Sequence, residues 1–527
     1  MKVPVFKHTI EKITAALQDE KEPLQAIAAF IKYDPGLYFA FIQKLAFSVF
    51  KGEVTTISQV TSLIGSNAIE QDVLRHDHIL DDENSLMLWC CAVLSGEAAV
   101  LINQRSPLVE PEEAFFSALL PSVGMLLLLE QRPEYQLLLP LLVKLPIEDR
   151  VYLEDLLFKK NHISVLDDVL PLPQMYKDVI ELIKKEHSPS FGSMNEQELP
   201  ARFSTAHTSS QLYHLAMAAE YIAQAVLFPS IVMAQENFKQ LIKRFLNIPE
   251  NVTEELLSDV VESFETVCTN FGIQEMSSRL LAQASQIRET KITFLTTMAP
   301  LLRVLNELFT GSRQEQNMLI WGEAGVGKRR LAFALHYHPE NKRKTKPFLS
   351  FHCDTTEKET LEEELFGSRG GFWGTDQHKG AFEMANGGTI LLKNIDKMPL
   401  ILQGRLADII SRIEYYRSRN IVGSQADVLF IVTSRKDLQE EVKEGRFSRM
   451  LLRALKPVSI YIPPLRERRD DIALIADGII KKYGLALTDT VSHLSLQEFY
   501  DTYAFKENLS DLKRLLFYSA AKKMLKS

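Results

Sequence analysis

The sequence predicts a multidomain chain in which an all-α helical module is followed by an α/β domain built around a phosphate-binding loop. Three observations carry this. Of the 23 glycines, 7 lie in residues 1–310 and 16 in residues 311–527. Charge divides at the same place: residues 1–310 hold 25 Lys and Arg against 40 Asp and Glu, and residues 311–527 hold 35 against 28, net −15 and +7. A GxxxxGK sequence, Gly322 to Lys328, follows at once on the apolar run Met318–Trp321. At 527 residues the chain has room for about three to four domains, and a core of that size needs no disulfide or metal staples. Its 46% hydrophobic and 24% charged residues are those of a globular protein. They exclude disorder, collagen repeats and a coiled coil as descriptions of the whole chain.

From the N-terminus, MKVPVFKHTIEKI has no continuous apolar stretch of the kind a secretory signal needs. The apolar runs Val123–Leu129 and Leu137–Val143 fall short of the ~20 residues of a membrane span. The expectation is a cytoplasmic protein without membrane contact. Cys90, Cys91, Cys268 and Cys353 show no CxxC or CxxH spacing and are expected to pack in a core, in a reducing compartment.

Residues 1–285 read as amphipathic helices with short polar breaks. In Pro23–Ile31 and Leu37–Val49 the apolar residues recur at three and four positions, burying one face. Asp34-Pro35 between them is a start signal: Asp caps free backbone N–H groups and Pro fits the first helical turn. Scarce glycine suits packed helices, whose interiors glycine weakens. His187–Arg202, rich in Ser, Pro and Gly, is a loop. Residues 226–285 read as a further helical stretch interrupted at Pro249 and Asn251, and Gln286–Phe309 as a helical linker.

The stretch AAFIKYDPGLYFAFIQKLAFSVFKGEVTTISQVTSLIG (Ala28–Gly65), with Asp34-Pro35, Leu45-Ala46, Ser48, Phe50, Gly52, Ile57 and Gly65, resembles the start of HDOD domains. These are helical relatives of the HD phosphohydrolases, found in bacterial signalling proteins. Glu112–Leu128 resembles the helix that carries the His-Asp metal pair in HD enzymes, and at that position this chain has Pro121-Ser122. Neither residue is a metal ligand, since ligation takes imidazole, thiolate or carboxylate. His187, His207 and His214 have no acidic partner at metal spacing and are expected to be ordinary histidines. The resemblance, which runs to about Ala225, implies a protein-interaction or sensory module without metal.

In the second half the apolar strand Met318–Trp321 leads into Gly322-Glu323-Ala324-Gly325-Val326-Gly327-Lys328, and Arg330–Tyr337 continues as a helix. This strand–loop–helix setting is that of a P-loop. Its glycines let backbone N–H groups face a polyphosphate, Lys328 adds a charge and the helix N-terminus adds its dipole. Gly387-Gly388 turns into a strand Thr389–Leu392, and Asp427–Val432 supplies another, so that apolar runs alternating with helices imply a parallel, doubly wound sheet.

PFLSFHCDTT, LEEELFGSRGGFWG, KGAFEMANGGTILL, MPLILQGRL, EGRF and IPPLRERRDDIALIA resemble, in order and spacing, the AAA+ domain of sigma-54-dependent transcriptional activators. The resemblance runs over nearly all of residues 300–515 and implies an ATP-binding domain with a small helical lid. The catalytic positions depart from the family. Hydrolysis needs one carboxylate on Mg²⁺ and a second to orient water; where the family has this Walker B pair, the chain has Lys393-Asn394. Asp396, three residues on, is expected beyond the strand and out of play. By the same resemblance His352 stands at the asparagine that restrains the water-orienting glutamate, Arg435 at the sensor asparagine, Ser448 and Ala454 at the two arginines that reach a neighbouring subunit, and Ser510 at the lid arginine. The loop that contacts sigma-54 becomes Gly370–Thr375, with Trp373 at its threonine. KRKTK (Lys342–Lys346) is read as a solvated basic face.

These readings assign residues 1–225 to an HDOD-like helical domain, 226–309 to a helical extension and linker, 310–470 to a degenerate AAA+ P-loop domain, and 471–527 to its lid. Gly322, Glu323, Ala324, Gly325, Val326, Gly327, Lys328 and Arg329 are the expected nucleotide contacts, for ATP or ADP, with Mg²⁺ short of its carboxylate. The expected function is a non-catalytic regulator acting through protein partners, bound by the HDOD-like half and by the Gly370–Thr375 loop, with oligomers open. A DNA-binding module is not expected in the residues left after the lid. An active ATPase acting on sigma-54 polymerase or another protein, and a scaffold that binds no nucleotide, stand as the alternatives.

Overall fold

The computed structural model describes residues 3–18, 24–47, 57–65, 78–168, 174–187, 206–228, 253–274, 316–353, 380–418, 427–485 and 504–526, with a few isolated positions between. The chain divides into two compact units. One comprises residues 1–290 with 482–488 and 517–527; the other comprises 291–481 and 489–516. The Gly370–Thr375 loop, the His187–Arg202 loop after its first residue, Pro249 and Asn251 lie outside the described residues.

In the first unit Asp34 does what the sequence assigns it. It accepts the N–H of Leu37 at 2.9 Å with Oδ1, starting the helix Pro35–Phe47. With Oδ2 it also accepts the N–H of Phe6 at 2.9 Å, which ties down β1 (Val5–Phe6). β1 pairs in parallel with β2 (Ile79–Leu80). The core is made by two long helices, Glu83–Arg105 and Pro111–Gln131, which pack on each other and on Ala206–Leu227. Their close approach needs small residues. A Cβ on Gly96 would stand 2.4 Å from the Phe115 ring, and one on Gly124 would stand 1.8 Å from the carbonyl oxygen of His162.

Both helices are long and apolar enough to cross a membrane by composition, which the contiguous apolar runs alone did not show. In the fold, 72% and 89% of their apolar windows are covered by protein. The packing of the other helices uses that surface. Thr253–Phe271, the described part of the predicted extension, joins them: Ser263 donates to Glu97, and Arg105 pairs with Asp259. Cys90 and Cys268 are buried there, and burial pushes the Cys90 thiol well above its usual range.

The second unit is a five-stranded parallel sheet in the order β4-β5-β6-β3-β7. Its strands are β3 (Met318–Trp321), β4 (Phe348–His352), β5 (Thr389–Lys393), β6 (Leu429–Ser434) and β7 (Val458–Tyr461). The predicted strands are present, with β5 one residue longer, so that Lys393 is its last residue, and β6 shifted two residues on. Strands buried on both faces read as continuous apolar runs, as TILL and LFIV do. Helix Leu400–Ser418 lays Leu402, Leu406 and Ile410 on Phe351, Leu392 and Phe430. In the basic run Lys342, Lys344 and Lys346 are exposed as expected, and Arg343 departs: it is 8% exposed and holds both carboxylate oxygens of Asp427, at 2.9 and 2.8 Å, while also donating to the carbonyl of Gly388. It is a buried clamp between the β4 and β6 entries, which composition alone could not separate from a solvated run.

Candidate functional site: the phosphate loop and the carboxyl edge of the sheet

β3 ends at Trp321, and the next six residues turn the chain into the helix Lys328–His336. Gly322 has φ 145°, Gly325 φ 75° and Gly327 φ 103°, all in the region that favours glycine. A Cβ would meet the Ile462 carbonyl at 2.3 Å from Gly322, and the Glu507 carbonyl at 2.3 Å from Gly325. Val326 is wholly buried and anchors the loop.

The loop's carbonyls are tied back one by one. Lys328 Nζ donates to the carbonyls of Gly322 and Glu323 at 2.6 Å each. Asn508 Nδ2 donates to Ala324 O at 2.8 Å, the N–H of Leu509 to Gly325 O at 3.1 Å, and Arg468 Nη2 to Val326 O at 2.6 Å. In a planar trans peptide the N–H opposes the C=O. Five consecutive engaged carbonyls hold the loop's backbone in one curled path, the kind of conformation whose N–H groups an anion cradle uses. Glu323 is held by both nitrogens of Arg466 and by Asn508, which keep its carboxyl below the usual range. The residues present fit a phosphate chain.

β6 stands next to β3, which leads into the loop, and β5 lies beyond β6. Gly322 N–H donates to Ser434 O at 3.2 Å, so the residue after β6, Arg435, borders the loop. Burial lowers the Lys328 amine to about 8; the Arg435 charge adds to this, while Asp396 and Glu323 oppose it. Asn394 takes φ 53° just after Lys393 and donates its N–H to Thr433 Oγ1 at 3.2 Å. That turn corrects one expectation. Asp396 does lie beyond the strand, in the turn Ile395–Lys397, yet its Oδ1 accepts the Arg435 N–H at 3.3 Å and its charge reaches Lys328. His352 pairs in register with Lys393. Lys393, Arg435 and Asn394 occupy the edge where Mg²⁺ would be held. With Asp396 as a single carboxylate beside them, the described residues do not offer the pair that the metal and its attacking water need, so this donor set does not fit the metal.

The other departures have local roles. Ser448 caps the helix Arg449–Leu455 by accepting from Leu451 N–H, and Ala454 and Ser510 carry no charge to a phosphate. Arg466, Arg468 and Asn508 carry no signal of their own in the sequence; their task appears only once the loop is folded against them.

In the helical unit Pro121 and Ser122 lie on the buried helix Pro111–Gln131. They line a cavity of about 20 Å³ with Cys91, Ser95, Arg150 and Glu220, room for about one water. Arg150 pairs with Glu220 at 2.7 Å. Among the described residues no cluster of three His, Cys, Asp or Glu side chains is placed to hold a metal.

Residues 3–189 match the HDOD domain, and residues 295–461 match the sigma-54 interaction domain. The chain is 36% identical over 192 residues to the regulatory protein AtoC of Escherichia coli K12, a match covering 36% of this chain and 41% of that protein. It is 35% identical over 213 residues to the alginate biosynthesis transcriptional regulatory protein AlgB of Pseudomonas putida, covering 40% and 47%. With the DNA-binding transcriptional regulator NtrC of E. coli K12 the figures are 36% over 181 residues, covering 34% and 38%. The chain thus spans less than half the length of these relatives. Among solved structures it is similar to NtrX from Brucella abortus, at 23% identity and TM-score 0.35, covering 46% of this chain and 55% of that one.

Proposed function

From a chain that carries an HDOD domain followed by a sigma-54 interaction domain, we propose a cytoplasmic, non-catalytic regulator: its P-loop binds ATP or ADP without hydrolysing it, and it acts through protein contacts. The observation that carries this is Lys393-Asn394 at the carboxyl end of β5. Hydrolysis asks for a carboxylate on the metal and another to orient water. A lysine repels Mg²⁺, and an asparagine takes no proton. Loss of a single transition-state contact costs roughly 10²–10³-fold, and several are replaced here. The binding half of the machinery remains in Gly322 to Lys328 and the groups that tie it back.

In this reading Lys328 leaves the loop's own carbonyls for the phosphates, and the cradle of N–H groups holds them with the start of the helix Lys328–His336. The HDOD domain recruits or answers to a protein partner. Phosphate release from ATP is the direct test: the full chain should release none above a Lys328→Ala control. Release at ordinary AAA+ rates, abolished by Lys328→Ala, overturns the proposal. A second reading, an active remodeller of sigma-54 polymerase, is favoured by one observation, the Asp396 carboxylate within electrostatic reach of Lys328. It predicts ATP turnover that Asp396→Asn abolishes.

A further inference from the structure

The carboxyl edge of the sheet orders its charges. Along it run the ends of β5, β6 and β3, neighbours in the sheet. β5 ends in Lys393, β6 is followed by Arg435, and β3 opens into the loop that leads to Lys328 and Arg329. Among the described residues two carboxylates, Glu323 and Asp396, come near this edge, and both accept hydrogen bonds. Glu323 is held by Arg466 and Asn508, and Asp396 takes the Arg435 N–H. Parallel α/β sheets bind their ligands at this edge.

We propose that this site takes a nucleoside triphosphate free of Mg²⁺, with Lys393 and Arg435 standing where the metal would neutralise the outer phosphates, and that Mg²⁺ competes with the protein for the nucleotide. The inference rests on the reading that the P-loop binds nucleotide. Mg²⁺ chelated to the outer phosphates removes negative charge that Lys393 and Arg435 would meet. It also brings a divalent cation against two cationic side chains, a like-charge contact at the low effective dielectric of a part-buried site. The ordinary dependence is thereby reversed: metal-free nucleotide carries the larger charge and fits the larger positive field. Burial first and the Arg435 charge second lower the Lys328 amine, and an anion arriving beside the two cations offsets both.

Titration of the full chain with ATP, by calorimetry or thermal shift, in EDTA and in excess Mg²⁺, tests it. Binding in EDTA should be tighter by about tenfold or more, the equivalent of one good charge contact. Arg435→Asn should weaken binding in EDTA by about tenfold and shrink the Mg²⁺ effect. Lys393→Asp should reverse the order, so that Mg²⁺ tightens binding. Lys393→Met, which keeps the length and removes the charge, should abolish most of the inhibition by Mg²⁺ even if the aspartate variant does not fold. Binding to the unaltered chain that Mg²⁺ tightens overturns this proposal and leaves the non-hydrolysing nucleotide reading standing. No binding in either medium overturns both.

Discussion

Asp34 is buried to the last atom and accepts the backbone N–H groups of Phe6, 28 residues back, and of Leu37, three residues on. Burial pushes its carboxyl up to about 6, against those hydrogen bonds, which pull it down. The native state therefore holds the proton more tightly than the unfolded chain does. Stability from this group is full below about pH 4 and falls as pH rises through about 6, by up to about 3 kcal/mol. Asp34→Ala should cost about 3 kcal/mol at pH 4, where two donors lose their acceptor. The gap from the unaltered chain should then narrow toward neutral pH. Denaturant midpoints across that range check it; a gap that widens with pH contradicts the burial argument. His8, lowered to about 4 by burial among Trp89 and Phe271, acts in the opposite sense, losing stability as pH falls below about 6.5. The comparison must therefore be between variants and not a single profile. In the sheet unit, Arg343→Ala removes the Nη2 that donates to both oxygens of Asp427; because that carboxylate is half exposed and water can take the partner's place, the cost should be about 1–2 kcal/mol. Equilibrium unfolding of the variant measures it.

At the scale of elements, close approach explains more than propensity. The helix Pro111–Gln131 passes so near His162 that Gly124→Ala has no space for its methyl group. Overpacking of this kind costs about 1–3 kcal/mol, and more when the obstruction is backbone. The variant should melt measurably lower while Gly65→Ala, whose Cβ would meet nothing within 4 Å, is strained only by its φ of 77°. Similar chemistry governs the phosphate loop, where five carbonyls lean on Lys328, Asn508, Leu509 and Arg468. Asn508→Ala leaves Ala324 O and the Leu465 N–H without their partner and should weaken ATP binding several-fold by loosening the cradle. Titration of that variant beside the unaltered chain measures the loss.

Over the whole molecule the helical half and the sheet half are built on different economies of glycine and charge, and each half was legible to a different degree. The helical module, the helix start at Asp34-Pro35 and the apolar faces of the helices follow from spacing. So do the apolar strands and the strand–loop–helix setting of Gly322 to Lys328. The glycine and acidic-basic division reads directly off the chain. What spacing could not show is which side chains meet. KRKTK looks like any basic run until Arg343 is seen on Asp427. Asp396 looks discarded beyond its strand until the left-handed Asn394 turns it back to Arg435. Two helices that satisfy membrane composition are core helices because other helices cover them. The sequence by itself determined the order of the domains and the phosphate loop, because these are local patterns of residue type, and it put Lys393-Asn394 after an apolar strand; that a carboxylate pair is expected there comes from the family resemblance. Only the tertiary structure decided what supports the loop and which charges share its edge, because Arg466, Arg468 and Asn508 reach the loop from more than a hundred positions away and Asp396 meets Arg435 across 39, and no period along the chain encodes such contacts.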